Sequence, residues 1–303
     1  MAPINHNPTD AEIIEKLGNL KFVNRSKGRR SPHKPLMVLM ALGHVARDKP
    51  RFLSYKKIRK QGIKLLQNFG SRSKTNNLIG YPFTHLVTNK IWEIEDMQKM
   101  GSDLMQIREH SVLERHNAKG GFTQPVYDKL LGNPKLILKT AQTLLNKEFP
   151  GSMHDDILEA VGLDQLNTEE RQPSRTGRDP NFRRNVLRAY GSSCAICDFY
   201  ARLDDAVLAV EAAHIQWHAY KGPSVISNGL ALCTLHHKAF DRGALAIDND
   251  MKVLVSEQLG GDRKTKEQHF YQYESQEIHL PRKSEHHPQP EYLAWHRRQV
   301  FKG

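Results

Sequence analysis

Apolar residues recur every three or four positions along several stretches of the chain, and this spacing predicts amphipathic helices. In the N-terminal half the predicted helices cover residues 13–20, 36–45, 55–69, 104–113, 127–131, 136–149 and 153–161. Between them, residues 81–94 contain two short runs of apolar and β-branched residues around Thr88-Asn89-Lys90, which predicts a hairpin. Helices followed by a hairpin predict a mostly helical, winged-helix-like first domain.

The pattern changes after residue 164. Residues 165–179 are polar and charged and contain Pro and Gly, so they are the best candidate for a linker. Beyond them the pattern predicts a helix over 182–190, strands over 206–213, 244–247 and 252–256, a surface loop over 260–268 and a closing helix over 290–296. We therefore predict an α+β protein with domains at 1–164 and 180–303.

The three cysteines all lie in the second domain, in two short knuckles. Cys194 and Cys197 form a C-x2-C pair, and Cys233 and His236 form a C-x2-H pair. Two such knuckles supply the four corners of a tetrahedral Zn²⁺ site, and thiolates favour zinc over Mg²⁺ or Ca²⁺. Unliganded buried cysteines are the alternative, but the proposed site uses every cysteine of the chain. The spacing predicts a structural zinc site.

Three cysteines cannot all pair in disulfides, and residues 1–20 contain no charged segment followed by an apolar run. No apolar run in the sequence approaches the length of a membrane span. We therefore expect a cytoplasmic protein of prokaryotic type that has no membrane partner.

Residues of different chemistry accompany the knuckles. His237 follows the proposed zinc ligand His236, and Asp241 lies one helical turn later, so both can bind a divalent ion with open positions for phosphate oxygens. His214 ends a β-like run, where a neutral imidazole can take a proton from water. Asn228, in the polar loop that follows, can orient that imidazole through its amide. The alternative is that His214 and Asn228 are ordinary loop residues.

The order His214, Asn228 and His237 inside a cysteine-knuckle frame resembles the HNH (ββα-metal) nuclease family. The resemblance implies a strand pair and a helix around one catalytic Mg²⁺ or Mn²⁺ ion. It also implies that His214 activates water, that Asn228 positions His214 and that His237 binds the ion. Many members have Asp or His just before the first histidine, where this chain has alanine. We expect Asp241 to supply the missing ligand, with Glu211 as the alternative.

The chain is strongly basic, with 45 Lys and Arg residues against 33 Asp and Glu and a formal net charge of +12. A basic excess of this size is typical of proteins that bind polyanions, and it agrees with a nuclease. The loop over 24–35 concentrates Arg25, Arg29 and Arg30 before an apolar helix, where cations suit phosphate contacts. We therefore expect double-stranded DNA as the partner.

Two motifs of the first domain, PHKPL at 32–36 and YPFTH at 81–85, resemble the sulfur-binding domain of phosphorothioate-dependent type IV restriction endonucleases. Those enzymes join such a domain to a C-terminal HNH nuclease, so the resemblance covers nearly the whole chain. It implies that Tyr81 and Pro82 form an apolar wall for sulfur. It also implies that His33 and Lys34 supply charge and donors and that His85 completes the rim. Members of the family commonly have arginine at the position of Lys34. The lysine ammonium acts as a point charge, whereas a planar guanidinium donates two hydrogen bonds side by side.

Together these features predict a modification-dependent endonuclease. It binds phosphorothioate-modified DNA through the first domain and hydrolyses phosphodiester bonds nearby by a one-metal HNH mechanism. Two alternatives remain open: the first domain reads a modified base such as methylcytosine, or the protein is a DNA-binding regulator without catalysis. A flipped base would need an aromatic cage, and only Tyr81 and Phe83 lie close together in the sequence. A double-strand cut needs two nuclease sites, which a homodimer would provide.

Overall fold

The computed structural model describes residues 8–20, 31–70, 79–101, 103–166 and 180–303. The chain divides into two compact units: the first includes Ser31–Phe149, and the second includes 180–303 together with the short segment Pro150–Met153. The loop arginines Arg25, Arg29 and Arg30 and most of the predicted linker lie outside the described residues. Among the described residues, no helix combines the length and the apolar character needed to span a membrane.

The first unit consists mainly of helices packed around one buried helix. Its helices are α1 Asp10–Gly18, α2 His33–Val45, α3 Tyr55–Phe69, α4 Gly80–His85, α5 Leu104–Ile107, α6 His110–Arg115, α7 Gln124–Leu130, α8 Pro134–Glu148 and α9 His154–Val161. α2 is apolar on nearly all sides, and Leu36, Leu39 and Leu42 are buried. This helix therefore forms the centre of the core. α3 covers the same residues as the sequence predicts.

A small antiparallel sheet completes the first unit. Its strands are β1 Leu53–Ser54, β2 Trp92–Ile94 and β3 Lys119–Phe122, in the order β1-β3-β2. The central strand contains two glycines because its neighbours approach closely. A Cβ at Gly121 would lie 2.0 Å from the carbonyl oxygen of Arg51, and a Cβ at Gly120 would lie 2.7 Å from the ring of Phe83.

The predicted hairpin over 81–94 is wrong in its first half. Residues 80–85 form α4, Leu86–Asn89 forms a 3-10 helix, and only β2 is a strand. Phe83 and Thr84 are buried, so the packing of this short helix against the core outweighs the β propensity of the run. Tyr81 and His85 are consequently presented one turn apart on a helix.

The second unit contains the predicted strand pair followed by a helix. Its elements are α10 Pro180–Ala189, β4 Arg202–Leu203, β5 Ala206–Val207, β6 Val210–His214, β7 Gly229–Cys233, α11 Thr234–Asp241, β8 Leu245–Ile247, β9 Val253–Val255, α12 Arg263–His269 and α13 Pro290–Gln299. β6 and β7 pair antiparallel with His214 opposite Gly229, and α11 follows β7 directly. The functional residues predicted for this half therefore lie on one ββα unit and the loop inside it, except Cys194 and Cys197, which precede β4.

Two local predictions for this unit are wrong. The single strand over 206–213 is divided because Ala209 has a left-handed φ of 54°, so β5 ends at Val207 and β6 begins at Val210. Residues 260–268, predicted as a surface loop, contain most of α12. Asp262 is the N-cap of this helix, and its side chain accepts a hydrogen bond from the Thr265 amide. The polar composition of the run does not predict this helix start.

Candidate functional site

The two knuckles bring four metal-binding side chains together. The sulfurs of Cys194, Cys197 and Cys233 and a ring nitrogen of His236 all lie within 4.8 Å of one another. Nδ1 of His236 is 3.5 Å from the Cys194 sulfur and 3.4 Å from the Cys233 sulfur, and the Cys197 and Cys233 sulfurs are 4.0 Å apart. A tetrahedral ion with bonds of about 2.0–2.3 Å would have ligand separations of about 3.5–3.8 Å. The four residues therefore fit one tetrahedral metal ion.

Neighbouring backbone groups hold this four-ligand cluster in place. Nε2 of His236 donates to the carbonyl of His269 at 2.8 Å, which leaves Nδ1 facing the sulfurs. The amide of Ala195, inside the first knuckle, donates to the carbonyl of Ala231 in β7 at 2.7 Å. Burial opposes a charge on His236, but hydrogen bonds with the sulfurs of Cys194 and Cys233 raise its pKa to about 10. The cluster thus joins the first knuckle, β7 and α11.

His237, the next residue of α11, lies between two carboxylates. Its Nδ1 is 2.6 Å from Oε2 of Glu211 in β6, and its Nε2 is 3.1 Å from Oδ2 of Asp241 one turn along α11. Asp241 also accepts a hydrogen bond from the hydroxyl of Ser152, which belongs to the same unit. Burial opposes a charge on His237, but the charges of Asp241 and Glu211 outweigh it and raise its pKa to about 9. These side chains therefore form an environment that favours a cation.

The two carboxylates differ in their access to solvent. The side chain of Asp241 is 1% exposed, whereas that of Glu211 is 44% exposed. Burial opposes the charge of Asp241, but the nearby charge of His237 lowers its pKa below the usual range. Carboxylate oxygens with one imidazole suit Mg²⁺ or Mn²⁺. The accessible member of this donor set is Glu211, which contacts Nδ1 of the buried His237.

His214 ends β6 and is contacted on one face and one edge. Its ring stacks on the ring of Phe182 in α10, with the centroids 3.8 Å apart and an angle of 15° between the planes. Its Nε2 is 3.3 Å from the hydroxyl oxygen of Ser224. The sequence does not single out Phe182 or Ser224, because an apolar position of a helix and a serine in a polar loop are both commonplace.

Asn228 is buried and binds the backbone of the loop between β6 and β7. Its Oδ1 accepts from the amide of Gln216 at 2.8 Å, and its Nδ2 donates to the carbonyls of Gln216 at 3.0 Å and Pro223 at 2.9 Å. Ser224 follows Pro223 directly. Asn228 is therefore connected to the His214 ring through the loop that carries Ser224, whereas the sequence predicts that its amide orients the ring itself.

In the first unit, Tyr81 and His85 form a stacked aromatic pair. Their ring centroids are 3.9 Å apart and their planes differ by 18°. Nδ1 of His85 donates to the carbonyl of Tyr81 at 3.2 Å and lies 3.0 Å from the hydroxyl of Thr84. Burial lowers the pKa of His85 below its usual value and the charge of Lys34 adds to this, although the hydrogen bond to Tyr81 acts in the opposite direction. At neutral pH the pair consists of two uncharged rings.

Lys34 lies against the helix that carries the stacked pair. Its ammonium donates to the carbonyl of His85 and to Oδ1 of Asn89, each at 3.2 Å. Lys34 is 4% exposed, and burial lowers its pKa to about 8, so it remains charged at pH 7. Pro82 is buried and His33 is half-buried at the start of α2. The structure therefore brings a buried positive charge together with an aromatic pair.

Two protein-family models match the chain. The model of the ScoMcrA-like DNA sulfur-binding domain matches residues 10–166, and the model of HNH endonuclease matches residues 194–248. The second match contains the four-ligand cluster and the residues His214, Asn228 and His237. No curated protein matches the chain.

Several solved structures are similar to the chain. The sulfur binding domain of ScoMcrA complexed with phosphorothioated DNA is 20% identical with a TM-score of 0.43, over 50% of this chain and 96% of that chain. The sulfur binding domain of SprMcrA complexed with phosphorothioated DNA is 21% identical with a TM-score of 0.44, over 53% and 98%. The type IV phosphorothioation-dependent restriction endonuclease ScoMcrA is 20% identical with a TM-score of 0.45, over 50% and 32%. Each match relates about half of this chain to a protein of low identity.

We expect the purified protein to carry about one tightly bound metal ion per chain at the four-ligand cluster. His236→Ala removes one ligand, so the metal content should fall to about zero and the second unit should unfold at a lower temperature. Elemental analysis by mass spectrometry and calorimetry measure both effects. His279→Ala, at an exposed histidine of the same unit, is the control. Full metal content in His236→Ala would contradict the assignment.

Proposed function

Because the chain belongs to the family of proteins with a ScoMcrA-like DNA sulfur-binding domain, we propose that it is a modification-dependent restriction endonuclease. It binds phosphorothioate-modified double-stranded DNA with residues 1–164 and cuts that DNA with the HNH domain of residues 180–303, which the linker 165–179 joins to the first domain. The observation that carries this proposal is that one chain matches both the sulfur-binding domain and the HNH endonuclease.

Selection of sulfur follows from the chemistry of the stacked pair. Sulfur is larger than oxygen, more polarisable and a poorer hydrogen-bond acceptor. Tyr81 and His85 offer it an apolar surface supported by the buried Pro82, while the buried Lys34 supplies positive charge and His33 supplies a donor to the phosphate group. An ordinary phosphate oxygen against these rings would lose hydrogen bonds to water, at a cost of about 1–3 kcal/mol. The stacked pair therefore selects sulfur largely by disfavouring oxygen.

Cleavage is assigned to His214 and to the group around His237. His214 takes the proton from the water molecule that attacks phosphorus. The site near His237 would hold a Mg²⁺ or Mn²⁺ ion, which would supply positive charge to the phosphate and the leaving 3′ oxygen. His237 and Glu211 would hold that ion. The four-ligand cluster would hold Zn²⁺, which suits three thiolates and an imidazole, and would fix the turn of α11 from which His237 projects.

Glu211 and Nδ1 of His237 would hold the catalytic ion, and Asp241 would orient His237 from the buried side. A metal-binding histidine commonly donates its other ring N–H to a carboxylate, and Nε2 of His237 faces the buried Asp241. Ser152 occupies an oxygen of that same carboxylate, which further suits it to an orienting role. The sequence favours Asp241 as the ligand of the ion, with Glu211 as the alternative. The greater exposure of the Glu211 side chain instead supports Glu211 as the ligand.

The binding of phosphorothioate DNA is tested by a gel shift in the absence of divalent metal. Two duplexes of identical sequence are compared, of which one carries a phosphorothioate. We expect the sulfur duplex to bind about 5- to 150-fold more tightly, which corresponds to about 1–3 kcal/mol. Tyr81→Ala removes one ring of the stacked pair and should abolish this preference. Tyr127→Ala, at another partly exposed tyrosine of the first unit, is the control. Equal binding of both duplexes by the unsubstituted protein would refute the sulfur-reading function.

The nuclease is tested with phosphorothioate-containing plasmid and Mg²⁺ or Mn²⁺. His214→Ala removes the general base, so we expect cleavage to fall by about 10²–10⁴-fold while DNA binding in the gel shift is unchanged. His279→Ala should cut at the normal rate. If His214→Ala cut as fast as the unsubstituted protein, another group would have to be the base.

The assignment of the catalytic ion is tested by calorimetric titration of zinc-loaded protein with Mn²⁺. Glu211→Gln should weaken Mn²⁺ binding by about tenfold or more, because a charged ligand is lost. Asp241→Asn keeps an oxygen that accepts from Nε2 of His237, so its effect should be smaller. Glu257→Gln, at an exposed carboxylate of the same unit, should bind normally. A larger loss in Asp241→Asn than in Glu211→Gln would reverse the assignment.

A further inference from the structure

We infer that Ser224 and Phe182 are positioning residues for His214, and that Ser224 fixes the tautomer in which Nδ1 takes the proton of the attacking water. The inference rests on the proposed nuclease function, and it adds two side chains to the three histidine and asparagine positions of the HNH pattern. Phe182 covers a face of the His214 ring and Ser224 contacts its Nε2 edge.

The face contact is built by a close approach of α10 to the strand pair. Gly229 lies opposite His214, and a Cβ there would lie 2.6 Å from Cγ2 of Val186 and 3.0 Å from Cζ of Phe182. The missing side chain therefore lets α10 pack directly on the strands. At the other end of β6, Arg183 donates to the carbonyl of Val210 at 3.3 Å. Because α10 is fixed along β6, Phe182 prevents the His214 ring from tipping towards the helix.

The edge contact is built by the buried amide of Asn228. Its three hydrogen bonds hold the backbone at Gln216 and Pro223, on either side of the turn that leads to Ser224. The turn is compact: a Cβ at Gly222 would lie 1.8 Å from the carbonyl oxygen of Gln216. Ser224 therefore occupies a defined position beside Nε2 of His214, although its own side chain is short and polar.

The tautomer follows from the use of each ring nitrogen. A hydroxyl can donate or accept, so its partner sets its role. A general base needs its lone pair on the nitrogen that meets the water, and the nitrogen held by the protein keeps its proton. Ser224 accordingly accepts from Nε2–H, and the lone pair of His214 is on Nδ1. The hydroxyl hydrogen of Ser224 is left to donate elsewhere.

The proton and electron balance of the step is complete with water alone. The oxygen of water forms a new bond to phosphorus as the bond from phosphorus to the 3′ oxygen breaks. One proton of water moves to Nδ1 of His214, which becomes an imidazolium with Nε2–H still donated to Ser224. The 3′ oxygen leaves with the bonding electron pair and takes a proton from solvent.

The tautomer is measured directly by ¹⁵N NMR of the full chain labelled at histidine, without any assay of cleavage. The His214 signals are identified by their loss in His214→Gln. At a pH where His214 is neutral we expect the Nε2–H form, and Ser224→Ala should shift both ring nitrogens. Ser227→Ala, in the same loop, should leave them in place. An Nδ1–H form, or unchanged shifts in Ser224→Ala, would overturn the inference.

Kinetics test the consequence for catalysis. Ser224→Ala should lower kcat about tenfold with KM nearly unchanged, because the substrate still binds while the base is less well aimed. Ser224→Thr keeps the hydroxyl and should recover most of the rate. Phe182→Leu should lower kcat and Phe182→Tyr should restore it, with thermal unfolding checked for each variant. Equal rates in Ser224→Ala and Ser227→Ala would contradict the role.

The NMR and kinetic results separate this inference from the proposed function. A protein that cuts no DNA but shows the Nε2–H form would refute the nuclease and retain the contact between Ser224 and His214. A protein that cuts phosphorothioate DNA but shows the Nδ1–H form would retain the nuclease and refute the assigned tautomer.

Discussion

A single turn of α11 carries both the last ligand of the four-ligand cluster and the histidine that lies between two carboxylates. Successive residues of a helix point about 100° apart. His236 can therefore face the sulfurs of the knuckles while His237 faces Glu211 and Asp241. The first knuckle precedes the ββα unit and the second lies at the junction of β7 and α11, so the cluster fixes the start of α11, and the start of α11 fixes His237. The position of His237 thus depends on the four-ligand cluster.

The other half of the site is positioned without ions. His214 depends on an aromatic ring, a hydroxyl and a loop whose shape is set by the amide of Asn228. That amide uses its oxygen and its nitrogen on three backbone groups, so a buried polar side chain is fully satisfied and makes the loop rigid. Asn228 therefore holds the backbone of the loop, and Ser224 in that loop contacts the ring of His214.

The sequence predicts those parts of the protein in which the relevant residues are close together in the chain. Helix α3 is predicted because its apolar positions repeat regularly, and the ligands of the cluster are predicted because each knuckle is local. Residues 80–89 are helical because Phe83 enters the core, which is a tertiary effect that β propensity cannot anticipate. The choice between Glu211 and Asp241 depends on burial, and the contacts of Phe182 and Ser224 depend on the approach of α10 and on the loop. None of these has a local signal.

The buried position of Lys34 has a consequence for how the protein responds to salt. A cation that touches a DNA phosphate releases a condensed counterion, and each such contact steepens the fall of affinity with ionic strength. Lys34 is held inside the first unit by the carbonyl of His85 and the side chain of Asn89, so in the proposed complex its charge would act on the DNA backbone without lying on the surface that displaces counterions. The salt dependence of DNA binding then reports the exposed cations of the chain. In that complex the charge of Lys34 would contribute to affinity at ionic strengths that weaken the surface contacts.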